Sequence, residues 1–177
     1  MIRYGVLGHV LGLFLLGLAA AMVPPAAVAW WDGGGEFRYL AAGSAITAAT
    51  GIIFWRLARP PEGEISRREG ILLVVLVWIS VAVFGALPFF FSPHFDSFTD
   101  ACFEAASGFT TTGATVLREV EVLGRGLQLW RIQSHWLGGM GIVLLGIAIL
   151  PLVGVGSMHL YRAEFSGARS EKLKPRI

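Results

Sequence analysis

Four stretches of the chain contain no Asp, Glu, Lys or Arg, and they set its plan. They run over Tyr4–Trp31, Tyr39–Trp55, Ile71–Phe91 and Ile132–Leu160, or 28, 17, 21 and 29 residues. A helix needs about 20 apolar residues to cross a hydrocarbon core. The first, third and fourth stretches are long enough. The second is short, but Arg38 and Arg56 flank it and can snorkel to the interfaces. Pro24-Pro25 predicts the end of the first helix near an interface, with Trp30 and Trp31 as an aromatic anchor. The N-terminal pattern, an apolar run followed by Ala27-Val28-Ala29, also has the form of a secretory signal with a cleavage site.

The polar intervals divide these stretches. Residues 56–69 contain Pro60-Pro61 and alternating charges, the mark of a surface connection. The predicted organisation is a helix pair over 1–60, a cytoplasmic loop over 61–70, a span–pore loop–span unit over 71–158 and a basic cytoplasmic segment over 159–177. With the N-terminus inside and four crossings, ten basic residues fall on the inner side and four on the outer. That bias fits the positive-inside rule and predicts both termini in the cytoplasm.

Composition agrees with the pattern. Hydrophobic residues make up 55% of the 177, charged residues 15%, and the mean hydropathy is +0.67. A soluble domain carries about 25% charged residues. An ordinary soluble enzyme, a disordered chain and a disulfide scaffold are thereby disfavoured. The net charge of +2 is too small to suggest a nucleic-acid partner. Cys102 is the one cysteine, so it forms neither an internal disulfide nor a zinc set. Glu104, His94 and His135 are too scattered for a metal cluster, and no phosphate-binding glycine loop precedes a helix. The expectation is no enzyme activity and no cofactor.

The interval 92–131 holds the candidate chemistry. Ser92-Pro93 is expected to end the third helix, and Thr99 or Asp100 to cap a short one that stops at Gly108. Two turns cannot cross a bilayer, so this helix is a re-entrant candidate. Gly108-Phe109-Thr110-Thr111-Thr112-Gly113-Ala114-Thr115 follows it. Gly113 can take a backbone conformation closed to other residues. An extended strip of this kind can offer stacked carbonyls in place of an alkali cation's hydration shell. The helix C-terminus would point its negative dipole end at that ion. Asp96, Asp100 and Glu104 are candidates for concentrating cations at an outer mouth. The residues alone leave an ordinary Thr/Gly-rich extracellular turn open as well. In the fourth stretch, Gly138, Gly139 and Gly141 suit close helix packing or a hinge, and Pro151 a kink.

These segments together resemble the Trk/Ktr/HKT superfamily of potassium transporters, most closely its bacterial TrkH-type membrane subunit. Phe103 to Thr115 is similar to the family's pore helix and first filter, and Arg131 to Ile142 to the start of its next span. Leu150-Pro151, Leu160 to Glu164 and Lys172 to Ile177 extend the likeness. The resemblance implies an all-α integral membrane fold: an N-terminal helix pair, then one span–pore loop–span repeat of a potassium-channel-like fold. It implies that Thr111, Thr112, Gly113, Ala114 and Thr115 line one quarter of a selectivity filter and hold potassium through backbone carbonyls only. Gly113 matches the filter glycine. Arg131 and His135 are expected to stabilise the fold rather than touch ions. The implied cargo is potassium, in some members with sodium, carried across the bacterial cytoplasmic membrane. The implied partners are the lipid bilayer, downstream repeats of the same protein, a cytosolic nucleotide-binding regulatory subunit and, for the full-length form, a second copy. The likeness ends where the second repeat would begin, so the chain is expected to be an N-terminal portion; the alternative is a truncated remnant with a structural role only.

Overall fold

The computed structural model describes residues 2–58 and 65–153; the side chains of 144–153 lie outside that description. The described residues form helices and loops without strands. The helices are α1 (Tyr4–Ala21), α2 (Val23–Trp31), α3 (Phe37–Leu57), α4 (Arg67–Gly85), α5 (Leu87–Phe90), α6 (Phe98–Phe109) and α7 (Arg125–Val153), with a 3-10 turn at Val120–Val122. One compact unit takes in Met1–Met140, and a second takes in Gly141–Ile177, of which residues 141–153 are described and helical. Tyr4–Trp31, Phe37–Leu57 and Arg67–Phe90 are long and apolar enough to cross a membrane. The calls on Arg59 to Glu64, Gly154 and Gly156, and the basic segment 159–177 lie outside the described residues.

The first two long helices run antiparallel and close together. Small residues make this possible. A Cβ at Gly12 would lie 2.5 Å from the Trp55 nitrogen, and one at Gly51 would lie 2.9 Å from the Gly12 carbonyl. In lipid there is no solvent to drive helices together, so backbone approach of this kind, with its dispersion contacts, is what holds such a pair. Ser44 adds a hydrogen bond, its Oγ donating to the Ala19 carbonyl at 3.0 Å.

Prolines interrupt the first and third spans. Pro24 and Pro25 occupy the first turn of α2, and the break falls one step earlier, at Met22. The first helical turn tolerates proline because its N–H groups have no intrahelical acceptor. Pro25 cannot serve the Ala21 carbonyl four residues back. Gln133 on α7 serves it instead, Nε2 donating at 2.9 Å. The third span also breaks within its run, at Ala86, with Pro88 in the first turn of α5, and its helical course ends at Phe90, just before Ser92-Pro93. The Gly85 carbonyl at this break accepts from Nε1 of Trp130, 3.0 Å away and fully buried.

The third span also starts earlier than its apolar run. Ser66 and Glu69 form a capping box, so α4 begins at Arg67, inside the interval expected as loop. Arg3 closes on the same carboxylate, Nε to Oε1 at 3.0 Å and a terminal nitrogen to Oε2 at 2.9 Å. The N-termini of α1 and α4 are thereby joined. At the opposite end, Glu36 reaches the start of α7, accepting from the backbone N–H of Gly124 at 2.7 Å and of Leu127 at 3.3 Å. A carboxylate at a helix N-terminus satisfies orphan N–H groups and suits the helix dipole. Between these ends the core is built on Leu15, Met22, Leu40, Phe89, Leu127 and Trp130, all fully buried.

Candidate functional site

Ser97 starts α6. Its Oγ accepts from the Asp100 N–H at 3.1 Å and donates to Asp100 Oδ2 at 2.7 Å. The cap is therefore Ser97, not Thr99 or Asp100: Ser97 has extended backbone just before the helix, and its hydroxyl accepts from the N–H three residues on. The helix runs on through Gly108 to Phe109, 12 residues or about 18 Å. Ala101, Glu104, Ala105 and Gly108 are buried at helical spacing and form its inner face.

The end of α6 and the strip after it are one structure. The Thr111 N–H donates to the Gly108 carbonyl and the Thr112 N–H to the Ser107 carbonyl, both at 2.9 Å. This is a Schellman closure, which requires a left-handed residue at the position Thr111 occupies. Thr111 has φ 59°. That conformation is a genuine outlier for a β-branched residue. The Thr110 hydroxyl supports it, bonding the Ala106 carbonyl at 2.7 Å and the Thr112 hydroxyl at 2.8 Å. Two residues on, Gly113 has φ 77°, so glycine is needed there for its backbone alone. Thr110 to Ala114 are exposed.

Side chains from α6 and α7 hold the outgoing half of the strip. Ser107 Oγ donates to the Ala114 carbonyl at 2.6 Å. Glu104 Oε2 accepts from the Thr115 hydroxyl at 2.8 Å and the Val116 N–H at 3.3 Å. Its other oxygen accepts from Arg131 Nε at 2.6 Å. A terminal nitrogen of Arg131 reaches the Gly113 carbonyl at 3.5 Å. The Glu104 side chain is 0% exposed and that of Arg131 16%. Among the described residues, no donor is placed on the carbonyls of Thr111 or Thr112. A carbonyl oxygen carries two lone pairs, so the bonds to Gly113 and Ala114 aim those peptides without using up their acceptor capacity.

The acidic candidates separate on this geometry. Glu104 is not at an outer mouth: it is buried, paired and spent on the strip, because its place on the inner face of α6 leaves it no path to solvent. Asp96 is exposed, and Asp100 is half-buried against Ser97. The glycines separate too. A Cβ at Gly138 would collide with the Phe109 carbonyl, and one at Gly108 with Ser134 Oγ. Here α7 crosses the end of α6 at backbone contact. A Cβ at Gly139 would make only an ordinary 3.6 Å contact with Thr111 Cγ2, and one at Gly141 would meet nothing within 4 Å among the described residues. Pro151 is helical in its backbone, and its surroundings lie outside the described residues. His135 Nδ1 sits 2.8 Å from the Arg131 carbonyl.

Sequence reasoning missed the Glu104–Arg131 pair as a unit. The available signal was an acid at helical spacing with Ala101, Ala105 and Gly108, with a lone base at the head of an apolar run. Ionisable groups in such settings find each other.

Comparison with known proteins adds the family. A family model described as TrkH, cation transport protein, matches residues 38–177. The Trk system potassium uptake protein TrkH of Salmonella typhimurium is 42% identical over 172 residues, 96% of this chain and 35% of that protein. The protein of the same name from Escherichia coli K12 is 41% identical over 172 residues, with the same two coverages. The crystal structure of the potassium transporter TrkH from Vibrio parahaemolyticus superposes with a TM-score of 0.81 at 31% identity, covering 93% of this chain and 37% of that one. The chain thus spans about a third of the length of the relatives it matches.

Proposed function

The chain belongs to the TrkH family of cation transport proteins, and from that membership we propose that it supplies one quarter of the selectivity filter of a potassium uptake pathway. It is a multi-pass membrane protein. The observation that carries the proposal is the exposed strip after α6, whose Thr111 and Thr112 carbonyls are unserved among the described residues while backbone bonds close its incoming end and the Ser107 and Glu104 side chains hold its outgoing end. Exposed irregular backbone is tolerated at membrane depth only beside protein or a water-filled path. An alkali cation, stripped of water, is the ligand that such carbonyls suit.

In this reading Thr111, Thr112, Gly113 and Ala114 present carbonyl oxygens to potassium, and Thr115 ends the strip through its bond to Glu104. Sodium would compete for the same oxygens. Asp96 and Asp100 would raise the local cation concentration outside. Further repeats of the protein would close the ring, since one quarter encloses no path. The end where Arg3 meets Glu69 would face the cytoplasm, and the end carrying α6, the strip and the start of α7 would face outward. The membrane would be the bacterial cytoplasmic membrane, with a cytosolic nucleotide-binding subunit on the inner side.

Two experiments test this. The protein as its gene encodes it should restore growth of an uptake-deficient bacterium at low potassium. Gly113→Ala should impair uptake or its preference for potassium, and unchanged uptake and preference would remove the strip from the filter. On a Cys102→Ser background, a cysteine replacing Glu119 should react with an impermeant reagent from outside and one replacing Glu64 should not. The reverse labelling would invert the orientation.

A further inference from the structure

The pair of buried Glu104 and half-buried Arg131 does more than tie α6 to α7. We infer that it sets the charge and the aim of the strip: Arg131 is a positioning residue for the Gly113 carbonyl, and Glu104 is the counter-charge that keeps this guanidinium from repelling the cation. The inference rests on the reading of the strip as a cation filter.

Geometry and charge carry it together. Arg131 has one nitrogen on Glu104 at 2.6 Å and another 3.5 Å from the Gly113 carbonyl. A permanent positive charge so near a cation path would oppose occupancy, the more so where water is scarce. Glu104 cancels it at contact distance. The same carboxylate holds Thr115 and Val116, the two residues at which the chain leaves the strip. One buried acid thus fixes the outgoing end of the strip and neutralises the base that touches its glycine. The planar guanidinium can make both contacts at once through separate nitrogens, which an ammonium cannot.

The two single substitutions should therefore act with opposite sign. Glu104→Gln keeps the shape but leaves a net positive charge beside Gly113. Arg131→Gln leaves a net negative charge there. A pair that served only to hold the fold would fail in the same way whichever member was lost.

The test is rubidium and sodium uptake by the gene-length protein in an uptake-deficient host, with the amount of membrane-inserted protein measured in parallel. Wild-type rubidium uptake is the control for the underlying reading: if it is absent, that reading fails, and the inference falls with it. With uptake present, Glu104→Gln should raise the KM for rubidium about tenfold. Arg131→Gln should leave KM unchanged or lower it and should weaken discrimination against sodium. The double substitution should bring KM back towards the wild-type value. Arg131→Lys should keep KM, since the charge is kept, but lose discrimination, since the second contact is lost. The inference is overturned if both single variants raise KM alike, or if Glu104→Gln leaves KM and discrimination as in the wild type. Should Glu104→Gln fail to reach the membrane, Arg131→Gln and Arg131→Lys decide the matter: wild-type discrimination in both would overturn the inference.

Discussion

The pairing of α1 with α3 and the pairing of α6 with α7 use the same device for different ends. In both, glycine lets one backbone lie on another. At Gly12 and Gly51 the two partners are regular helices whose peptide groups are satisfied internally, and closeness brings contact and nothing else. Gly108 leaves room for Ser134 of α7, and at Gly138 the partner is the backbone of Phe109, where α6 ends and the strip begins. That backbone is irregular, so its polar groups must be satisfied from outside. Ser107, Glu104 and Arg131 do so. The lesson is that close packing is cheap where the backbone is self-sufficient, and needs a dedicated set of polar side chains where it is not.

Substitutions can break this division or sharpen it. The largest effect is expected at Gly138→Ala, whose Cβ would fall on the Phe109 carbonyl. Neither backbone can yield without moving the strip, so both uptake and protein abundance should fall steeply, as read by rubidium flux and immunoblot. Gly113→Ala comes next, because φ 77° costs an L-residue about 1–2 kcal/mol and the cost falls on the strip itself. Flux and ion preference should change more than the thermal midpoint in detergent. Gly12→Ala should do the opposite: overpacking against Trp55 and Gly51 costs about 1–3 kcal/mol, lowering the midpoint while KM stays at the wild-type value. A change of ion preference at Gly12→Ala as large as that at Gly113→Ala would refute the division. Arg125→Ala, which removes an exposed 3.2 Å pair with Asp32, should shift stability by less than about 1 kcal/mol and leave flux unchanged.

Two Arg–Glu pairs extend the contrast. Arg3 and Glu69 join the starts of two regular helices, and the Arg3 side chain is 39% exposed. Glu69→Ala should loosen that end, visible as a lower thermal midpoint, with KM kept. The pair at Glu104 and Arg131 lies beside the strip, and its loss should be read in transport rather than in stability alone.

Much of this was legible along the chain. Three of the four runs without charge coincide with helices long and apolar enough to cross a membrane, since crossing hydrocarbon demands length and apolarity that no soluble helix of that size requires. The short helix before Gly108 and the glycine at 113 were legible too, because turn chemistry is local. Helix boundaries were less so. Pro24-Pro25 reads as a stop, yet α2 runs through it to Trp31. The Ala21 carbonyl that Pro25 leaves open finds its donor in Gln133, more than a hundred residues away. No local rule foresees that rescue.

Glu104 marks the limit most clearly. Its neighbours in sequence, Asp96 and Asp100, suggest a cluster of acids at a mouth. Only the fold decides that Glu104 points inward to Arg131 and Thr115 while Asp96 stays in the open. The sequence by itself determined what depends on composition and on a few adjacent residues: three candidate spans, a short helix with the turn after it, and the backbone freedom at Gly113. The tertiary structure decided which polar groups meet, because the role of a charge under a membrane depends on the partner that desolvation forces it to find.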